Sequence, residues 1–113
     1  MTNSKIIDTE VFTELQGNTG ADFVIELVDT FLDEAPQLLA QMRSARAAGE
    51  ADNFRRAAHS LKSNGSTFGA LAFAAQARSL ELSQLAQVEE GALAALEQQF
   101  QQAAARLREL CHG

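Results

Sequence analysis

EEGALAALEQQFQQAAARLREL, residues 89–110, decides the fold class. Its apolar residues Leu93, Leu96, Phe100, Ala103, Leu107 and Leu110 recur at steps of 3, 4, 3, 4 and 3. That spacing puts them on one face of a helix. Glu89 and Glu90 suit the positive end of such a helix, and Arg106 and Arg108 suit its negative end. A second seam lies upstream: Val24, Val28, Phe31, Ala35, Leu38 and Met42 follow steps of 4, 3, 4, 3 and 4. Pro36 sits inside it. An interior proline removes a hydrogen bond at a cost of roughly 3 kcal/mol. The seam stays in phase across it, which predicts a kink instead of a break.

Working outward, the interruptions are short and centred on glycine: Gly17 to Gly20, Ala48–Gly49, Gly65 to Gly69, and Gly91. They predict a short first helix from Asp8, as N-cap, to Leu15. A second helix starts after Thr19, with Asp22 three residues on as its capping partner. A third starts at Asp52 as N-cap and ends near Ser66, with Phe54, Ala58 and Leu61 inward. A fourth starts near Gly69 and buries Ala70, Phe73, Ala77 and Leu80. No alternating strand pattern competes. The expectation is an all-α fold, an antiparallel four-helix bundle with a short N-terminal extra helix as a lid. It is read as one domain over residues 1–113, with its bundle core at about 20–110.

Composition agrees. The 113 residues are 46% apolar, with no Trp or Tyr and one Pro. The net charge of −6 opposes nucleic-acid binding, which needs a basic face. The single cysteine, Cys111, allows no internal disulfide and is read as inert. The N-terminus carries Lys5, Asp8 and Glu10 without a long apolar run, and no stretch is apolar enough for a bilayer. A cytoplasmic protein, monomeric and without direct membrane insertion, is the expectation.

One histidine stands apart. On a helical wheel of about 100° per residue, His59 lies opposite Leu61, and Arg55, Arg56, Lys62, Ser63 and Ser66 fall within about 60° of it. From Asn53 to Leu80 the chain has four basic residues, Arg55, Arg56, Lys62 and Arg78, and no acid. A neutral imidazole is a nucleophile near pH 7, and surrounding cations disfavour the protonated ring. The same cations attract a phosphoryl group, and small residues leave room for another protein. The plain alternative is a solvated helix face that pairs with neighbouring carboxylates. His112, beside the last residue, is read as frayed. No His/Cys/Asp cluster has metal-ligand spacing and no glycine-rich phosphate loop exists, so neither a metal site nor autonomous kinase activity is expected.

Residues 57–70, Ala57-Ala58-His59-Ser60-Leu61-Lys62-Ser63-Asn64-Gly65-Ser66-Thr67-Phe68-Gly69-Ala70, resemble the signature of histidine phosphotransfer (HPt) domains, roughly A-H-x-L-K-G/S-S-S-x-x-x-G-A. Leu80-Glu81 matches a downstream Leu-Glu of the family. The run Asp33 to Leu39, proline included, is similar to its second helix. The resemblance covers residues 6 to 110. It implies a bundle whose exposed histidine carries a phosphoryl group between receiver-domain aspartates of a two-component phosphorelay. By position, His59 is then the phosphoacceptor and Lys62 steadies the phosphoryl group. Ser63 stands where glycine is common and opens access to the ring. Gly69 is the structural turn, and Glu81 falls where a Glu or Gln bonds the imidazole. Docking is expected on the exposed face of the second and third helices, through apolar contacts and Lys62 together with the docking residues Arg55, Arg56, Ser63 and Ser66. Asn64-Gly65 departs from the usual serine pair and is expected to loosen the helix, since interior glycine costs about 1 kcal/mol.

The partners implied are response-regulator receivers and a hybrid sensor histidine kinase. The protein needs no cofactor of its own, and Mg²⁺ belongs to the receiver. It is a carrier and not an enzyme. Two rivals stay open: a receiver-binding module without phosphotransfer, and an HPt module excised from a hybrid sensor kinase.

Overall fold

The computed structural model describes residues 6–112, the side chain of His112 excepted; the expectations for Lys5 and for the His112 side chain fall outside that range. Five helices form: α1 Thr9–Thr19, α2 Ala21–Ala48, α3 Ala51–Thr67, α4 Leu71–Leu82 and α5 Glu90–His112. A single 3₁₀ turn, Leu85–Gln87, precedes α5. Among the described residues there is no strand. Each of α2 to α5 packs on the next, and α5 closes back on α2; α1 lies against α2 and α3. The expected all-α helical bundle is present.

The seams become the core. Val24, Val28, Phe31, Ala35 and Met42 of α2 are buried, as are Leu93, Leu96, Phe100, Ala103 and Leu107 of α5. Leu38 is a correction: it is half-buried, and Leu39 takes the core position. The buried series is Phe31, Ala35, Leu39 and Met42, whose steps of 4, 4 and 3 fit the 3.6-residue turn as well as the expected ones. Leu110 is likewise only partly buried. Pro36 sits on an exposed position of an unbroken α2.

Helix ends account for the other corrections. Asp8 does cap α1, accepting from the Glu10 amide at 3.0 Å. But α1 runs past Leu15, through Gly17 and Asn18, to Thr19. Only Gly20, at φ 98°, breaks the chain, so Thr19 ends α1 and does not cap α2, and Asp22 makes no capping bond there. The N-cap of α3 is Glu50 and not Asp52. The Glu50 amide donates to the Ala45 carbonyl at 2.8 Å around left-handed Gly49, a Schellman-type end that places the α3 start earlier. Asp52 sits in the first turn and pairs with Arg55 instead. Gly91 lies inside α5 and is no break.

The turn after α3 matters most for the site. Ala70 donates to the Gly65 carbonyl at 2.8 Å and Gly69 to Ser66 at 3.1 Å, a second Schellman pattern, with Gly69 at φ 82°. The Asp8 amide donates to the Gly69 carbonyl at 2.8 Å, which ties the start of α1 to this turn. The turn reverses the chain so that α4 lies along α3.

Candidate functional site

His59 stands on α3 two residues before Leu61, which is fully buried. The amphipathic face that buries Phe54, Ala58 and Leu61 therefore leaves the imidazole outside, with 56% of its side chain exposed. Its Nδ1 lies 2.8 Å from Oε2 of Glu81 on α4. With Nδ1 protonated, the ring donates to the carboxylate and presents an unprotonated Nε2. The other oxygen of Glu81, Oε1, lies 3.9 Å from Nζ of Lys62. One carboxylate, 16% exposed, thus touches both the ring and the lysine one turn further along α3.

The cations are less gathered than the wheel suggested. Arg55 is engaged by Asp52, Nη1 to Oδ1 at 2.9 Å, and the charged group touching the ring is a carboxylate and not a cation. Arg56 lies a turn before His59, towards the start of α3, in a separate concavity with Gln41, Glu50 and Asn53. Ser63 lines a groove with His59. Ser66 is exposed, but its carbonyl serves the α3–α4 turn. Gly69 stands in that turn, as expected.

The groove beside His59 encloses about 480 Å³. Glu34, Gln37, Leu38 and Gln41 of α2 form one wall, and His59, Ser60, Ser63 and Asn64 of α3 form the other. The sequence points to the exposed face of the second and third helices, but not to the α2 residues that form this wall. Its signal was the run Glu34, Leu38, Gln41 at steps of 4 and 3, one flank outward from the buried seam; assigning Leu38 to the core hid it.

Among the described residues no group of three or more His, Cys, Asp or Glu side chains could hold a metal ion. No helix is long and apolar enough to cross a membrane.

Comparison with known proteins gives the family. The sequence profile of the Hpt domain matches residues 26–112, and the chain belongs to that family. Its structure is similar to the crystal structure of histidine-containing phosphotransfer protein B (HptB) from Pseudomonas aeruginosa PAO1, with a TM-score of 0.73 and 29% identity over 96% of this chain and 93% of that one. No curated protein matches the sequence.

Proposed function

We propose that this Hpt-family chain carries a phosphoryl group on Nε2 of His59 between receiver-domain aspartates in a two-component phosphorelay. The observation that carries this is the hydrogen bond of Nδ1 to Glu81 on an otherwise exposed ring. It fixes the ring so that the free nitrogen faces a partner. The receiver's aspartyl phosphate is approached in line by Nε2. The P–N bond forms as the bond from phosphorus to the aspartyl oxygen breaks, and the receiver recovers its carboxylate. Positioning and charge neutralisation are most of what phosphoryl transfer asks of a protein. Lys62 is placed to turn from Glu81 towards the new phosphoryl oxygens.

The groove between α2 and α3 is the receiver's docking surface in this reading. Leu38 offers an apolar contact, Ser63 leaves room by the ring, and Arg56 lies beyond the groove towards the start of α3. Arg55 and Ser66 are exposed on α3 outside the lining of the groove and are the outer docking residues in this reading. The scaffold is read as an antiparallel four-helix bundle of α2 to α5 with α1 as the extra helix, working as a single-domain, monomeric, cytoplasmic carrier. Any Mg²⁺ belongs to the receiver, and a hybrid sensor kinase is the upstream source. The chain does not phosphorylate itself.

The test is to mix the protein with a phosphorylated receiver and map acid-labile label by residue. Label at His59 that is absent in His59→Gln is the expected result. Binding of several receivers without any label would overturn the carrier and leave a receiver-binding module.

A further inference from the structure

Helix α4 carries large apolar side chains on its outer face as well as its inner one. Phe73, Ala74, Ala77 and Leu80 are buried. Leu71, Ala75, Arg78 and Leu82 are exposed, Leu71 at 47% and Leu82 at 70%. These four follow steps of 4, 3 and 4, so they form one stripe, the spacing with which a helix offers a seam to another helix. Single exposed leucines are ordinary. Two on one stripe, with Ala75 between them, leave an apolar strip uncovered on a helix whose opposite face is already buried.

The stripe has a charge at its centre. Arg78 makes no ion pair among the described residues, where every bridge uses another cation. No acid occurs between Asn53 and Leu80, although the whole chain carries −6. A second copy is a poor cover. Two α4 helices paired about a two-fold axis would set Leu71 against Leu82 and Ala75 against Arg78. Each arginine would then lie over an alanine, about a turn from its counterpart, with no carboxylate on either stripe to pair either charge, and like charges brought that close are unfavourable.

We propose that the Leu71–Ala75–Arg78–Leu82 stripe docks an acidic amphipathic helix of a partner protein. Two apolar side chains of that helix meet Leu71 and Leu82, and a carboxylate between them meets Arg78. The stripe is about 16 Å long at 1.5 Å per residue, which suits a small, transient contact. It flanks the site without covering it. Glu81, next to Leu82, touches His59, while the groove that His59 shares with α2 contains no α4 residue. A helix on α4 therefore leaves that groove open. The inference goes beyond phosphotransfer and does not depend on it.

The probe is a synthetic capped helical peptide with leucines eleven residues apart and glutamates midway, together with its lysine-for-glutamate counterpart. Each is titrated into the ¹⁵N-labelled full chain. The acidic peptide is expected to shift amides from Leu71 to Leu82. Its affinity should fall about tenfold in Arg78→Glu and in Leu82→Asp, with circular dichroism of both variants unchanged. The basic peptide should bind Arg78→Glu better than the acidic one does. Equal binding of both peptides to the parent chain, binding by neither, or shifts confined to the α2–α3 groove would overturn the proposal. Dimerisation through α4 in sedimentation would hand the stripe to a second copy. Labelling of His59 by an isolated phosphorylated receiver is expected to be unchanged in both variants, so that failure here is separate from failure of the carrier reading. A loss of labelling would assign the stripe to the receiver and overturn the proposal.

Discussion

Glu81 is where the ring and the lysine are coupled. Its Oε2 is 2.8 Å from His59 Nδ1 and its Oε1 is 3.9 Å from Lys62 Nζ. In the proposed transfer Nε2 attacks while the carboxylate keeps the Nδ1 proton in place. The phosphorylated ring then carries positive charge that the carboxylate offsets, and no proton need arrive or leave in either direction. Glu81→Gln keeps an acceptor but removes the charge, and is expected to slow transfer about tenfold, with Glu81→Ala slower still, at about 10²-fold. Stopped-flow transfer from a phosphorylated receiver measures both; unchanged rates would remove Glu81 from the mechanism. Lys62→Ala should slow transfer or shorten phosphohistidine lifetime without loss of helicity, and unchanged kinetics would sink its assignment. Cys111 behaves differently. Burial, and then the charge of Asp29, push its thiol up from the ordinary range. The protonated thiol is the form the fold favours, so this contribution is present below the usual thiol pKa and is lost as pH rises through the raised value. Iodoacetamide should therefore alkylate the folded chain more slowly than the urea-unfolded chain at about pH 8; equal rates would contradict the burial. The residues of the site were legible as residue types, because a histidine opposite Leu61 has to face outward. The His59–Glu81 contact spans 22 residues, and helical periodicity within one segment carries no information about it. Only the family resemblance pointed there.

At the scale of elements, the two glycines around the α3–α4 turn act in different ways. Gly65 was expected to loosen α3, yet the helix runs unbroken from Ala51 to Thr67. A Cβ at Gly65 would lie 2.8 Å from Cδ2 of Phe73 and 3.4 Å from the Cβ of Ala74. The missing side chain is what lets α4 approach α3, and so brings Glu81 to His59. Gly65→Ala gains about 1 kcal/mol of helix propensity but overpacks a buried ring at about 1–3 kcal/mol, for a net loss measurable in urea. Gly69 combines φ 82° with a virtual Cβ only 2.8 Å from the Asp8 carbonyl oxygen, so Gly69→Ala should cost about 2–3 kcal/mol. If Gly69→Ala proves neutral, the tie between α1 and the turn is not as described. Helix existence and inward faces were readable because periodicity reports burial. Helix ends were not, because Schellman turns at Gly49 and Gly69 set them through backbone bonds that any side chain could flank. That is why Asp52 looked like a cap; Thr19 did because the break falls at Gly20 and not at Gly17, and Leu38 and Leu39, adjacent and chemically alike, could exchange places because steps of 3 and of 4 both fit one helix face.

The whole molecule is held at its centre by four phenylalanines drawn from different elements. Phe31 of α2 has ring centroids 5.3 Å from Phe68 in the α3–α4 turn, 6.2 Å from Phe73 of α4 and 5.6 Å from Phe100 of α5. Phe73 and Phe100 are 6.1 Å apart. The rings meet tilted or edge to face, the arrangements their quadrupoles favour. Phe31 alone touches all three others, so it joins the helices that would otherwise meet only in neighbouring pairs. Its removal leaves a cavity facing three buried rings that are themselves fixed by backbone, and little can collapse into it. Phe31→Ala should therefore cost about 3–5 kcal/mol, out of roughly 5–15 kcal/mol for a domain of this kind. Urea unfolding followed by circular dichroism reads that loss, and a cost below about 1.5 kcal/mol would mean that the cluster repacks and does not organise the bundle. The site supplies a second readout. His59 and its groove lie on the outside of α2 and α3, and Phe31 does not contribute to the concavity beside the ring. The folded fraction of Phe31→Ala should accept label at His59 at the parent rate, because the variant weakens the scaffold without altering the groove. A slower rate per folded molecule would mean instead that the aromatic centre sets the spacing of α2 and α3, and with it the width of the surface a receiver must enter.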